Sequence, residues 1–555
     1  MKTIISFFRS PTFLSAFRGA FLLWLAFPPV DWWPLAWVAP VPWVLLIRRE
    51  KLEGPRPYLA VWLAGLAFWL AALHWLRLPH PLTSIGWIAL AFYFAFYILV
   101  FLGLSRAAVH RLCVPVILAA PIVWTGLELV RGHLLSGMTM ASLGHTQYRW
   151  VPLIQISDLT GAYGVSFLVM FVAACLSRMI PLDGKRRAFW PLAPAGLSVL
   201  VVWGYGDVRI TGREIIHDPS FSGAPSIHVA LIQGSIDTIF GQNGPEDREK
   251  IFSQYLGLSK QAVARSPRPD LVVWPETYFL YPLITMDPDA CQRSPEVAAA
   301  RITPEQARRN LAENIAQTQR AFRAVTAELN TPILVGLDAL HYTAEGVRIY
   351  NTAAYVTREG ELIGRYDKMH PVMFGEYIPL ADRIAWLNYV TPLSMGLTPG
   401  KKPQSFDLKN LRFAPNICFE SVLPHLIRRQ VLALRAEGRE PDFLVNLTND
   451  GWFWGSSELD LHLACGVFRA VECRKPFLIA ANTGFSALID GDGRILAQGP
   501  RRATAILLAE VRRDPRHSWY LNHGDYFAGA CLLTSVLFVL GGMVKGRKNR
   551  MSNRG

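Results

Sequence analysis

Apolar residues fall into two regimes along this chain, and that division constrains the fold more than any single motif. Residues 10 to 205 and 526 to 544 are dense in hydrophobic runs, whereas from Ser226 to about Arg513 no uninterrupted run reaches the thickness of a bilayer core. Eight stretches come near that length: Ser10 to Phe27, Trp33 to Ile47, Tyr58 to Leu76, Ile85 to Leu104, Val114 to Leu129, Tyr163 to Ile180, Phe189 to Tyr205 and Tyr526 to Val544. Backbone in lipid must satisfy its own hydrogen bonds, so these runs are expected as helices. With 51% hydrophobic and 18% charged residues over 555 positions, the chain is too apolar for a wholly soluble protein. Three parts follow: a transmembrane bundle over 1–215, an α/β domain over 226–515, and a closing helix with a basic tail over 524–555.

The basic residues set an orientation. Lys2 and Arg9, then Arg48, Arg49, Lys51 and Arg56, then Arg106 and Arg111, then Arg178, Lys185, Arg186 and Arg187, and finally Lys545, Arg547, Lys548 and Arg550 share one face if the eight spans alternate. The opposite loops, Pro28 to Trp32 and Leu76 to Thr83, are nearly devoid of them. Both termini are therefore expected in the cytoplasm and the 226–515 domain outside it. Lys2 and Arg9 could introduce a secretory signal, but Pro28-Pro29-Val30-Asp31 offers no small-residue cleavage pattern, so the first span reads as a retained anchor. The net charge of +14 sits largely in these loops and the tail, where it meets anionic lipid; nucleic acid is not an expected partner.

Seven cysteines (113, 175, 291, 418, 465, 473 and 531) show neither paired spacing nor a CxxC, so no disulfide framework is expected. There is no HExxH, P-loop or glycine-rich dinucleotide fingerprint, and neither metal nor cofactor is expected.

From Ser226 onward, strands alternate with amphipathic helices. Strands are predicted at Ile227 to Gly234, Leu271 to Pro275, Pro332 to Leu337, Asn351 to Thr357, Leu362 to Asp367, Leu411 to Ile417, Phe443 to Leu447 and Phe477 to Ala481, closing with a hairpin from Ser486 to Gln498. Helices are predicted at Arg248 to Ala264, Pro304 to Leu329, Leu423 to Glu437 and Ser457 to Cys473. This order argues a layered α/β domain with mixed sheets.

Three of these strands end on reactive side chains: Glu276 after Leu271 to Pro275, Lys368 after Leu362 to Asp367, and Cys418 after Leu411 to Ile417. A base, a cation and a thiol are what thiol acyl chemistry requires, since a free thiol (pKa about 8.5) is mostly protonated at neutral pH. Taken singly, Cys418 could be core filler, Glu276 a solvated strand end and Lys368 a surface lysine; their joint occurrence at strand ends favours chemistry.

The motifs WPE (274–276), YDK (366–368), FGEYIPL (374–380), NICFE (416–420), LTNDGWF (447–453) and ANTGFSALID (481–490) resemble, in order, the signature of the nitrilase or carbon-nitrogen hydrolase superfamily. With the polytopic N-terminal half, LAFPPVDWWPLAWV (25–38), the Glu128-Leu129-Val130-Arg131-Gly132 segment and one closing span, the chain resembles bacterial apolipoprotein N-acyltransferases over nearly its full length. The resemblance implies a four-layer αββα sandwich on a helical membrane bundle in the bacterial inner membrane; a monomer is expected. It implies nucleophile, base and lysine roles for Cys418, Glu276 and Lys368. An acyl chain would pass from a phospholipid, through a thioester, to the α-amine of a diacylglyceryl-cysteine at a lipoprotein N-terminus.

It further implies that Glu376 positions the lysine or the substrate, and that Glu420 is a required acid behind the nucleophile. Phe419 stands where familiar members carry tyrosine, and Met369 to Met373 departs from the usual asparagine-histidine and proline, with His370 read as structural. Trp452, Phe453 and Trp454, Tyr278 to Met286, and Ile384 to Leu397 are apolar loops that read as a lipid-facing gate, with Phe419, Trp452 and Trp454 as candidate substrate contacts. Two rivals stay open on sequence: a membrane-tethered amidase that gives the acyl group to water, and a silent lipoprotein-binding scaffold.

Overall fold

The computed structural model describes residues 2–182, 187–216, 226–238, 245–287, 290, 303–379, 383–384 and 396–552. Lys185, Arg186, Cys291 and most of the expected gate stretch Ile384 to Leu397 lie outside the described residues.

Apolar helices stand at each of the eight expected spans. Among the described residues, Thr83–Leu112, Ala162–Met179 and Tyr526–Lys545 are long and apolar enough to cross a membrane, while Pro11–Ala26, Trp33–Arg48 and Pro57–Ala72 are shorter apolar helices. The second stretch is not one α-helix but a 3-10 turn, Trp33–Trp37, followed by an eight-residue helix, Val41–Arg48. Pro34, Pro40 and Pro42 lack the backbone N–H that an unbroken helix would need. The fifth, Val116–His133, holds a proline and two buried charges. Glu128 accepts from Trp124 Nε1 (3.0 Å) and Leu143 N (2.8 Å), and Arg131 donates to Met140 O (2.9 Å) and Ser142 Oγ (2.8 Å). These bonds fix the 140–143 loop to the helix and give each buried charged side chain polar partners.

The chain forms two compact units. The first gathers the N-terminal helices with residues 456–474 and 516–552; the second comprises 226–455 and 475–515. Helix Glu458–Cys473, although it follows the predicted strands in sequence, joins the helical unit through buried polar links. Glu472 accepts from Ala162 N at 2.9 Å, and Arg474 donates to Gln155 Oε1 at 2.6 Å and to Asp158 Oδ2 at 2.5 Å. Arg209 Nε reaches the same Asp158 at 2.9 Å.

Among the described residues the second unit contains thirteen strands: β1 (Ser226–Gln233), β2 (Leu271–Val273), β3 (Leu283–Met286), β4 (Ile333–Thr343), β5 (Gly346–Val356), β6 (Leu362–Asp367), β7 (Phe406–Leu408), β8 (Leu411–Ile417), β9 (Phe443–Thr448), β10 (Phe477–Ala481), β11 (Ala487–Ile489), β12 (Ile495–Gln498) and β13 (Ala505–Arg512). They form two mixed sheets, one ordered β13-β1-β2-β4-β5-β6 with β3 on β4, the other β12-β11-β10-β9-β8-β7. Strand β1 shows why its sequence reads as a continuous apolar run: both of its faces are buried. Val229 and Leu231 meet Phe413, Val445 and Leu478 in the core between the sheets. Ala230 and Ile232 pack outward with Tyr255, Phe322 and Val325 of helices Pro245–Val263 and Pro304–Leu329. Helix Pro424–Ala436 buries Ile427, Val431 and Leu434, and its Gln430 donates to Pro415 O at 2.6 Å, tying it to β8. This is the expected layered nitrilase-type fold. Strands β3, β7 and β13 were not predicted, and β4 and β5 extend further into a tight hairpin at Thr343–Gly346.

Strand direction positions the site. β2 runs parallel to β4, and β4-β5-β6 are antiparallel steps, so β2 and β6 point the same way. Glu276 and Lys368 thus emerge at one edge. In the other sheet β8, β9 and β10 are parallel, which sets the residues after Ile417, Thr448 and Ala481 side by side.

Candidate active site

Glu276, Lys368 and Cys418 come together in the second unit. Glu276 leaves β2 through Trp274-Pro275 and is almost wholly buried. The turn passes so close to β4 that a Cβ on Gly336 would meet Pro275 O at 2.3 Å and Glu276 Cα at 2.6 Å, so only glycine fits there. One carboxylate oxygen of Glu276 accepts from Asn351 Nδ2 (2.6 Å) and Lys368 Nζ (3.2 Å), the other from Asn449 N (3.0 Å). These donors fix the carboxylate's orientation.

Lys368 is 2% exposed, and its backbone is held by Asn351 O and Gly400 N, each at 2.8 Å. Its ammonium also donates to Glu376 Oε1 at 2.6 Å, while Glu376 Oε2 accepts from Val372 N at 2.7 Å. Burial works against the ammonium, but the carboxylates of Glu276 and Glu376 outweigh it and lift Lys368 well above its ordinary value. The lysine is a fixed cation.

Cys418 opens a 3-10 turn, Cys418–Val422, with φ +51°. A non-glycine residue in the left-handed region at a strand end is strained, and such strain concentrates where a side chain must be presented to a ligand. Its carbonyl accepts from Asn446 Nδ2 (3.1 Å) and Ser421 Oγ (3.0 Å), which pins the strained turn to β9. Burial raises the thiol well above its usual value, the Glu276 carboxylate adds to this, Lys368 opposes it and Asp450 raises it again. These influences keep the resting Cys418 side chain a thiol.

Glu420 stitches two of these segments together. It accepts from Ile417 N (2.7 Å) before Cys418, from Met369 N (2.7 Å) and His370 N (3.1 Å) after Lys368, and from Tyr366 Oη at 2.8 Å to both oxygens. Burial raises its pKa, while the hydrogen bonds from Ile417 and Tyr366 and the charge of Lys368 pull it back. Half-buried Phe419 stacks on His370, with centroids 6.3 Å apart and planes at 17°. Trp452 and Phe453 are half-buried, Trp454 is 40% exposed and Phe374 57%.

Asn351, Asn449 and Tyr366 were not singled out from sequence. Asn449 lay inside the LTNDGWF motif and Tyr366 inside YDK, so the motifs held the signal; Asn351 had none beyond being polar in an apolar run.

This architecture defines a carbon-nitrogen hydrolase fold, and residues 228–520 match the family model described as carbon-nitrogen hydrolase. Residues 19–175 match the model described as apolipoprotein N-acyltransferase N-terminal domain. An apolipoprotein N-acyltransferase of Rhodopirellula baltica is 33% identical over 93% of this chain and 95% of its own. One from Geobacter metallireducens is 34% identical over 94% and 93%, and one from Chlorobaculum tepidum 26% identical over 97% of each. The chain belongs to the apolipoprotein N-acyltransferase family.

Proposed function

We propose that this protein moves an acyl chain from a phospholipid to the α-amine of an N-terminal diacylglyceryl-cysteine by a ping-pong mechanism on Cys418. The observation that carries the reading is Lys368 Nζ, buried between the carboxylates of Glu276 and Glu376 and electrostatically coupled to the Cys418 thiol. Glu276 takes the thiol proton as sulfur attacks the ester carbonyl. The Lys368 ammonium stabilises the oxyanion, a role worth roughly 3 to 4 kcal/mol for a well-placed donor. Collapse expels the lysophospholipid alkoxide, which recovers the proton from Glu276, and leaves a thioester. The neutral amine then attacks that thioester, Glu276 receives the amine's proton, and the released thiolate is reprotonated.

Glu376 holds the lysine, and Glu420 fixes the spacing between the lysine loop and the nucleophile turn. Phe419, Trp452 and Trp454, with Phe374, supply apolar surface for acyl chains. The catalytic unit faces the extracytoplasmic side of the inner membrane with both termini in the cytoplasm, a reading supported by the segregation of basic loops.

Purified protein incubated with phospholipid and a diacylated lipopeptide is expected to yield an N-acylated lipopeptide, and Cys418→Ser none. Release of free fatty acid with no acylated peptide would replace the transferase reading with the hydrolase; no turnover of lipid at all would leave the scaffold.

A further inference from the structure

The parallel register of β8 and β9 pairs Ile417 with Leu447, so the next residues, Cys418 and Thr448, stand side by side at the two strand ends. Asn446 Nδ2 bonds both Asn416 Oδ1 (2.7 Å) and Cys418 O (3.1 Å), which fixes that adjacency. Thr448 is fully buried, and its hydroxyl donates to Asp450 Oδ1 at 2.7 Å. The strand register sets it beside Cys418, whose thiolate it favours. A hydroxyl carries one proton, so it can serve the carboxylate or the sulfur, not both.

We propose that Thr448 is a thiol-positioning residue of the acyl-transfer site, whose single proton rests on Asp450 while Cys418 is a thiol and turns to the sulfur when Glu276 removes the thiol proton. The proposal rests on the Cys418 reading above. With the proton on Asp450, a hydroxyl lone pair faces S–H and holds it; after deprotonation the same hydroxyl becomes a donor to the thiolate. Nothing is consumed: one O–H rotates, and the thiol proton goes to Glu276. The charged groups facing the sulfur are Glu276 beyond β2, Lys368 beyond β6 and Asp450 beyond β9. Asp450 therefore opposes the thiolate twice, by its charge and by holding the hydroxyl proton.

The test is the pH dependence of iodoacetamide alkylation at Cys418, read by peptide mass in the full chain in detergent, with Cys418→Ser as blank. Thr448→Val removes the donor and is expected to move the profile up by about one unit, making alkylation near neutral pH about tenfold slower. Thr448→Ser restores the wild-type profile. Asp450→Asn moves it the opposite way, because it removes a nearby negative charge and leaves the hydroxyl only a weaker, neutral acceptor to compete with the sulfur. A Thr448→Val variant that alkylates at the wild-type rate near neutral pH, or an Asp450→Asn profile shifted upward, would overturn the switch. Absence of Cys418 alkylation in the wild type at any pH would instead remove the nucleophile reading on which it stands.

Discussion

Glu420→Gln is the most informative single change outside the triad. Four donors converge on this side chain: three backbone N–H groups at 2.7 to 3.1 Å and the Tyr366 hydroxyl. Glutamine keeps the volume but offers one oxygen, so at least one backbone N–H must face an amide NH2. Turning Oε1 toward Met369 and His370 abandons Ile417 N; turning it toward Ile417 abandons the other two. Each bond to the carboxylate is worth about 1.5 to 3 kcal/mol, and a buried donor left unmet adds its own desolvation cost. A loss of roughly 3 to 4 kcal/mol in the coupling of the lysine loop to the nucleophile turn converts to about 10² to 10³ in the rate of thioester formation. Single-turnover acylation by a phospholipid carrying a labelled acyl chain reads this directly, and thermal unfolding in detergent reports what is lost as stability. Acylation within about threefold of wild type would refute the idea that Glu420 fixes the spacing of Lys368 and Cys418.

Other perturbations follow from the same geometry. Because burial and Glu276 hold the thiol well above its usual value, with Asp450 adding to them, alkylation of Cys418 in the free enzyme should keep rising as pH passes the ordinary thiol range; a plateau at or below neutral pH would contradict this. Lys368→Met removes the cation that opposes those groups, so the rise should begin at higher pH still, and acyl transfer should fall by about 10² or more. In the helical unit, Arg474→Met leaves Asp158 buried with only Arg209 and Tyr205 as partners, a destabilisation of about 3 to 5 kcal/mol visible as early melting, with the Cys418 alkylation profile unmoved. Trp454→Ala removes an exposed aromatic from the catalytic unit and should weaken acylation by vesicle lipid more than by short-chain ester. Equal effects on both donors would take Trp454 out of lipid entry.

Much of the catalytic unit was legible because its central strands are buried on both faces and so read as apolar runs, and because Glu276 and Cys418 each sit where such a run stops; Lys368 instead follows the partly exposed edge strand β6, where the YDK motif marked it. Strand β13 escaped because it is an edge strand that, among the described residues, pairs with β1 alone, its burial alternating weakly along Ala505–Arg512. Asn351 escaped because its role depends on lying across from the end of β2, a relation between strands 75 residues apart. Helix Glu458–Cys473 reads correctly as a helix, but its membership of the helical unit rests on links such as Arg474 to Asp158, separated by 316 residues, which no local pattern records. The φ of +51° at Cys418 is likewise invisible in sequence, since nothing local marks a cysteine as left-handed.

The central claim is a covalent acyl-enzyme on Cys418, and intact mass of the protein incubated with phospholipid alone tests it most directly. The account predicts an acyl-sized increment that maps to the peptide carrying Cys418, is cleaved by neutral hydroxylamine, and disappears as a diacylated lipopeptide gains the same mass on its α-amine. An increment that maps elsewhere, or acylated lipopeptide formed at wild-type rate by Cys418→Ser, would contradict it.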